Sequence, residues 1–199
     1  MDEYATPVRT PALSAVIPDS MKLITLDELA KLSTRLRTEG KRVVATNGCF
    51  DILHVGHVRY LAAARKLGDV LVVGLNGDDS IRQLKGAGRP VNRERDRAEV
   101  LGALELVEYV TIFPEKRATN FLRAAQPAVY AKGGDYTADT LDPEERAALD
   151  KFGTRIEIIP FEKGYSTSEL LTRIGLTEGR ASGRPGPAEA GPSQNLSQK

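Results

Sequence analysis

Two histidines stand three residues apart in Asn47-Gly48-Cys49-Phe50-Asp51-Ile52-Leu53-His54-Val55-Gly56-His57, and the 199-residue chain has no others. They follow the apolar run Arg42-Val43-Val44-Ala45-Thr46 directly, so the pattern reads as a strand, a glycine-bearing turn and the start of a helix. At such a junction, free backbone N–H groups and the helix dipole favour anions. Two imidazoles there can each donate a hydrogen bond, or a positive charge when protonated, to an oxygen gaining negative charge during displacement at phosphorus. Gly48 and Gly56 would let a phosphate approach the backbone. Asp51 either shapes the turn or holds a ribose or metal ligand. The plainer alternative gives one imidazole a capping role and the other a packing role.

Three further clusters fall where a strand ends or a helix starts, the edge at which open parallel sheets bind ligands. Asn76-Gly77-Asp78-Asp79 leads to the cations Arg82, Lys85 and Arg89, which suit a polyanion or simply a solvated loop. Lys132-Gly133-Gly134-Asp135-Tyr136 puts a lysine beside two glycines, fit for phosphate or base contact and equally for an ordinary turn. Gly164-Tyr165-Ser166-Thr167-Ser168-Glu169 has the form of a capping box, in which Ser166 caps and Glu169 reaches back. Other mechanisms fit badly. The chain has neither a Gly-x-x-x-x-Gly-Lys-Ser/Thr phosphate loop nor a Gly-x-Gly-x-x-Gly fingerprint after its first strand. A zinc site on the histidine pair would have to draw on Cys49 or Asp51.

The elements that must carry these residues alternate. A helix opening at Thr25, with Leu26, Leu29, Leu32 and Leu36 on one face, stops at Gly40. Then come strand 42–46, helix 57–67 closed by Gly68, strand 70–75, a short helix near 79–84, helix 94–106 and strand 109–113. Helix 119–125, strand 128–132, helix 143–151, strand 155–160 and helix 167–174 complete the pattern. Such alternation predicts an α/β fold, a Rossmann-like parallel sheet with helices on both faces.

Composition sets the outer bounds. At 41% hydrophobic and 28% charged residues, the chain reads as one globular unit of about 150 residues with flanking segments. Residues 1–20, with three prolines and no apolar period, are expected to be a flexible arm. The folded domain is expected over 21–175, and 176–199 as a disordered tail. A net charge of +1 gives no reason to propose nucleic acid or a membrane surface as a partner. A single cysteine and the lack of a secretion-type leader or long apolar run point to a reducing, cytoplasmic location.

The segment Gly48 to His57, with its His-x-Gly-His signature, and Ser166-Thr167-Ser168 resemble the cytidylyltransferase-like nucleotidyltransferases over roughly Leu23 to Ile174. Within that superfamily, Thr46 to Asp51, Leu84-Lys85-Gly86-Ala87-Gly88-Arg89-Pro90-Val91-Asn92 and Lys132 to Tyr136 are most similar to the adenylyltransferase branch of ADP-heptose synthesis. Two segments depart from that branch: Asp139 to Arg146, and Arg93-Glu94-Arg95-Asp96 just before a matching Arg97. The resemblance implies a nucleotidyltransferase fold and transfer of AMP from ATP to a sugar 1-phosphate, D-glycero-β-D-manno-heptose 1-phosphate, with pyrophosphate released. Mg²⁺ is expected through the triphosphate and not from protein ligands.

The same resemblance implies that His54, His57 and Lys85 meet the phosphates and the developing charge. Arg97 and Lys132 would hold the acceptor phosphate, while Asp78 and Asp135 would contact ribose or base. Gly48, Cys49, Phe50, Asp51, Gly56 and Gly133 would surround the nucleotide, and Ser166, Thr167 and Ser168 its triphosphate. It further implies a separate sugar kinase in the same pathway and a homodimer, common in the family. Two alternatives remain open: a cytidylyltransferase using CTP on glycerol 3-phosphate or another phospho-alcohol, and a non-catalytic nucleotide-binding protein.

Overall fold

The computed structural model describes residues 22–134, 141–160, 164–165 and 167–175. In chain order it contains α1 (Leu26–Thr38), β1 (Val43–Gly48), α2 (Val55–Arg65), β2 (Val70–Asn76), α3 (Asp78–Lys85) and α4 (Glu94–Gly102). β3 (Tyr109–Phe113), α5 (Thr119–Ala125), β4 (Val129–Gly133), α6 (Pro143–Asp150), β5 (Arg155–Ile159) and α7 (Thr167–Arg173) follow. The expected arm and tail lie outside the described residues.

The five strands form one parallel sheet in the order β3-β2-β1-β4-β5. Successive strand residues point to opposite faces, and both faces are covered, which is why the strands read as unbroken apolar runs. Val43, Ala45, Val72, Phe113 and Tyr130 pack against α1, α5 and α6. Val44, Leu71, Val73, Val110 and Ala131 pack against α2 and α4. The chain reverses direction across the sheet between β3 and β4, so the loops on either side of β1 and β4 diverge and leave a crevice there.

Local signals explain the element ends. Thr25 and Glu28 form the full capping box of α1, with Thr25 Oγ1 accepting from the Glu28 amide at 3.2 Å and Glu28 Oε2 from the Thr25 amide at 2.8 Å. The helix expected over 94–106 stops at Gly102 instead. Leu104 and Val107 continue inward through turns, the Leu104 amide donating to the Leu101 carbonyl and the Val107 amide to Leu104. The apolar spacing there reflected burial and not continued helix. β1 runs further than expected because Asn47 and Gly48 stay paired with Gly74 and Leu75, and β2 gains Asn76 through its pairing with Phe113 of β3.

Among the described residues, no helix is long and apolar enough to cross a membrane. The corner between α2 and β2 is the tightest backbone contact in the sheet's approach: a Cβ on Gly68 would lie 2.6 Å from both the Arg42 carbonyl oxygen and Val44 Cγ2. Gly68→Ala is therefore expected to cost about 2 kcal/mol, measured as a lower urea midpoint at unchanged slope.

Candidate active site

A cavity of about 870 Å³ opens at the C-terminal edge of the sheet, large enough within the usual range for ligand sites to hold two small substrates. Its wall is drawn from the turn after β1, the start of α2, the end of α3, the turn after β3, the tip of β4, the start of α6 and the segment entering α7.

His54 is the N-cap residue of α2, and its side chain makes no capping bond; His57 lies one turn inside the helix. This removes the capping alternative. The two rings stack with centroids 3.8 Å apart, and Phe50 lies against His57 at 5.2 Å. The Nδ1 atoms of both are buried without a hydrogen-bond partner, leaving the Nε2 edge as the one that can meet a ligand. Burial pushes the His57 imidazole down to about 4, helped by the neighbouring His54, and burial also lowers His54. At neutral pH both imidazoles are therefore uncharged, and a neutral imidazole can still donate a hydrogen bond.

The turn glycines have jobs that their sequence context did not disclose. A Cβ on Gly48 would sit 3.1 Å from the Phe50 ring, and one on Gly56 would sit 2.8 Å from Tyr165 Cβ and 3.0 Å from the His54 ring. Both therefore seat side chains. Phe50 adopts φ 42°, an uncommon conformation for a bulky residue that costs on the order of 1–3 kcal/mol and must be held by its surroundings.

Those surroundings are polar and buried. Asp51 is 3% exposed; its Oδ2 accepts from Arg89 Nε at 2.6 Å, and its Oδ1 from the amides of Val91 and Asn92 at 2.8 and 3.0 Å. Asp51 is thus the anchor of the loop between α3 and α4, an outcome closer to the turn reading than to a ribose ligand.

Arg97 corrects an expectation outright. It is 2% exposed, and its guanidinium donates to the Asn92 carbonyl at 3.0 Å, the Cys49 carbonyl at 2.6 Å and Asp78 Oδ1 at 2.8 Å. All three of its nitrogens are engaged inside the protein, so it is not placed to bind an acceptor phosphate. Asp78 is corrected with it: its carboxylate neutralises Arg97, its amide donates to Glu94 Oε2 at 2.9 Å, and it does not line the cavity.

Other candidates do reach the cavity. Lys85, the exposed last residue of α3, lines it, as do Cys49, Gly133 and Thr167. Lys132, at the tip of β4, donates to Tyr130 Oη at 3.0 Å and to Asn47 Oδ1 at 3.4 Å, and Tyr130 Oη donates to the same Asn47 oxygen. Burial lowers its ammonium's pKa, a shift that Glu145 opposes. Burial also raises the Cys49 thiol, which keeps it protonated. Asp135 and Ser166 lie outside the described residues, and of Ser168 only the helical backbone is described. Among the described residues, no group of three His, Cys, Asp or Glu side chains is arranged to hold a metal ion.

Arg59, Lys116, Arg117 and Glu145 line the cavity without having been singled out as site residues in the sequence, and Asn47 and Tyr165, inside candidate clusters, had been given no role of their own. Arg59 lies over the Tyr165 ring at 5.2 Å, joining α2 to the segment entering α7. Lys116 and Arg117 followed a strand end, the same positional signal that singled out Lys132, but no glycine stood beside them.

The cytidylyltransferase-like family matches residues 45–173. The bifunctional protein HldE of Geotalea uraniireducens is 48% identical over 158 residues, covering 79% of this chain and 32% of that protein. Its counterpart from Geobacter sulfurreducens is 46% identical over 153 residues, 77% of this chain and 31% of that protein. The chain thus spans about a third of the length of the curated relatives it matches. A lipopolysaccharide core biosynthesis protein from Thermoplasma volcanium, solved by crystallography, superimposes with a TM-score of 0.52 at 29% identity, covering 64% of this chain and all of that one.

The buried histidine has a consequence for stability. His57 takes up its proton near pH 4 in the folded protein but near the ordinary 6.5 when unfolded, so between those values the unfolded state holds more protons and stability falls as pH drops. Urea unfolding at pH 7.5 and pH 4 is expected to show a loss about 2–3 kcal/mol larger for the wild type than for His57→Asn.

Proposed function

Since this chain belongs to the cytidylyltransferase-like family, we propose that it is the adenylyltransferase of ADP-heptose synthesis. In this reading it moves AMP from ATP to D-glycero-β-D-manno-heptose 1-phosphate. One observation carries it: the neutral, stacked His54–His57 pair at the head of α2 lines the same cavity as Lys85 and Lys132. The similarity to proteins named HldE supports the choice of branch.

The acceptor's phosphate oxygen attacks the α-phosphorus of ATP. The bond from that phosphorus to the oxygen bridging to the β-phosphate breaks, and pyrophosphate carries away the electron pair. No covalent bond to the protein is needed, so catalysis is alignment and charge stabilisation. His54 and His57 donate N–H bonds to the phosphoryl oxygens as charge gathers there, and their uncharged state lets them do so without holding pyrophosphate too tightly. Lys85 neutralises phosphates from the α3 side, and Thr167 meets the triphosphate from the start of α7. Mg²⁺ supplies further neutralisation when it arrives bound to the nucleotide's phosphates. A sugar kinase must make the acceptor first, and the protein is placed in the cytoplasm with that pathway.

Purified protein with Mg²⁺ is expected to release pyrophosphate from ATP plus the heptose 1-phosphate, and not from CTP plus glycerol 3-phosphate. The reverse pairing would reassign the chain to the cytidylyltransferases, and silence in both would sink the enzymatic reading. His57→Asn is expected to lower turnover about a hundredfold at pH 7.5 while the protein remains folded.

A further inference from the structure

The burial of Arg97 leaves the acceptor's phosphate without the arginine that the sequence offered, and the cavity supplies another. Lys116 and Arg117 occupy the turn between β3 and α5 and both line the cavity. α6 fixes this turn at two points: Asp142 Oδ2 lies 3.1 Å from Arg117 Nε, and Glu145 Oε1 accepts the Ala118 amide at 2.8 Å. Asp142 is itself fixed, its Oδ1 accepting the Glu144 amide at 3.0 Å as the cap of α6. A guanidinium held through Nε keeps its two terminal nitrogens as a fork, a shape matched to two oxygens of one phosphate. The Arg117 side chain is 59% exposed, so it is not packed into the core as Arg97 is.

Topology puts this fork opposite the histidines. α5 and α6 cover one face of the sheet and α2 the other, so Arg117 and the His54–His57 pair approach the tips of β1 and β4 from opposite faces. In-line displacement needs that division, with the entering group on one side of the reacting phosphorus and the leaving group on the other. Arg117, Lys132 and Asn47 line the same cavity, and the Lys132 ammonium, lowered by burial, is lowered further by the charge of Arg117.

We infer that Arg117, with Lys116 beside it, binds the phosphate of the acceptor, the site's second substrate. This rests on the nucleotidyl-transfer reading above. The wall here, built of Lys116, Arg117, Lys132, Asn47, Asp142 and Glu145, suits a phosphorylated polyhydroxy compound.

The test is Arg117→Gln and Arg117→Lys in the full chain, with pyrophosphate release followed against each substrate in turn. Arg117→Gln is expected to raise the acceptor KM about 10- to 100-fold, with the KM for ATP within about twofold of wild type and Arg117→Lys intermediate. An unchanged acceptor KM, or an ATP KM that rises in step, overturns the inference.

A second measurement separates this from failure of the heptose reading. The wild type, saturated with Mg²⁺ and α,β-methylene ATP, is titrated with inorganic phosphate while the Ala118 amide is followed by NMR. A shift that Arg117→Gln abolishes sustains the phosphate site even if heptose phosphate gives no product. Absence of the shift in the wild type overturns it.

Discussion

The guanidinium of Arg97 is the interaction on which the site's shape depends. It ties the turn after β1, the start of α3 and the loop before α4 to one planar group, with Asp78 supplying the balancing charge. An arginine taken so fully out of water is costly unless every donor is matched, and here each nitrogen has an oxygen. The consequence is rigidity: the Cys49 carbonyl cannot rotate, so Phe50 keeps its left-handed backbone and its ring stays against His57. Asp51 repeats the device one residue later, gathering Arg89 and two amides of the same loop.

Rigidity is paired with dryness. The histidines stack on each other, Phe50 lies tilted against His57, and burial lowers both imidazoles. Donors fixed in advance and shielded from water act more strongly on developing charge than mobile, hydrated ones do, because nothing has to reorganise at the moment of reaction. Tyr60 braces the arrangement from inside α2, its hydroxyl lying 2.7 Å from Thr46 Oγ1 and donating to the Ala131 carbonyl at 3.0 Å. The imidazoles are thereby referenced to both β1 and β4. Cations line the cavity from the turn after β3, the tip of β4 and the end of α3.

The same two-faced sheet lets one crevice be lined from two sides. Helices on opposite faces deliver their residues to the same strand tips from opposite directions, and the polar ends of β1 and β4, Asn47 and Lys132, lie between them. A shared fold does not by itself fix the chemistry. The architecture therefore argues for where ligands go, and the residues at the edge for which ligands they are.

The sequence by itself determined the alternation of strands and helices, the two-sided sheet and the His-bearing turn, because these are written in short-range periods and in the residue types of turns and caps. Every expected strand and helix from 25 to 174 appears, with α4 ending early at Gly102 and β1 and β2 running longer than expected. What only the tertiary structure decided was which polar side chains face the cavity. Arg97 and Arg117 look alike in sequence, each a basic residue near the start of a helix, yet one is sealed among three carbonyl and carboxylate oxygens and the other stands at the rim. The glycines likewise announced open backbone but serve as seats for Phe50, Tyr165 and His54. Those outcomes depend on contacts between segments tens of residues apart, which local pattern does not encode, and on burial, which fixes both a group's neighbours and the charge it carries.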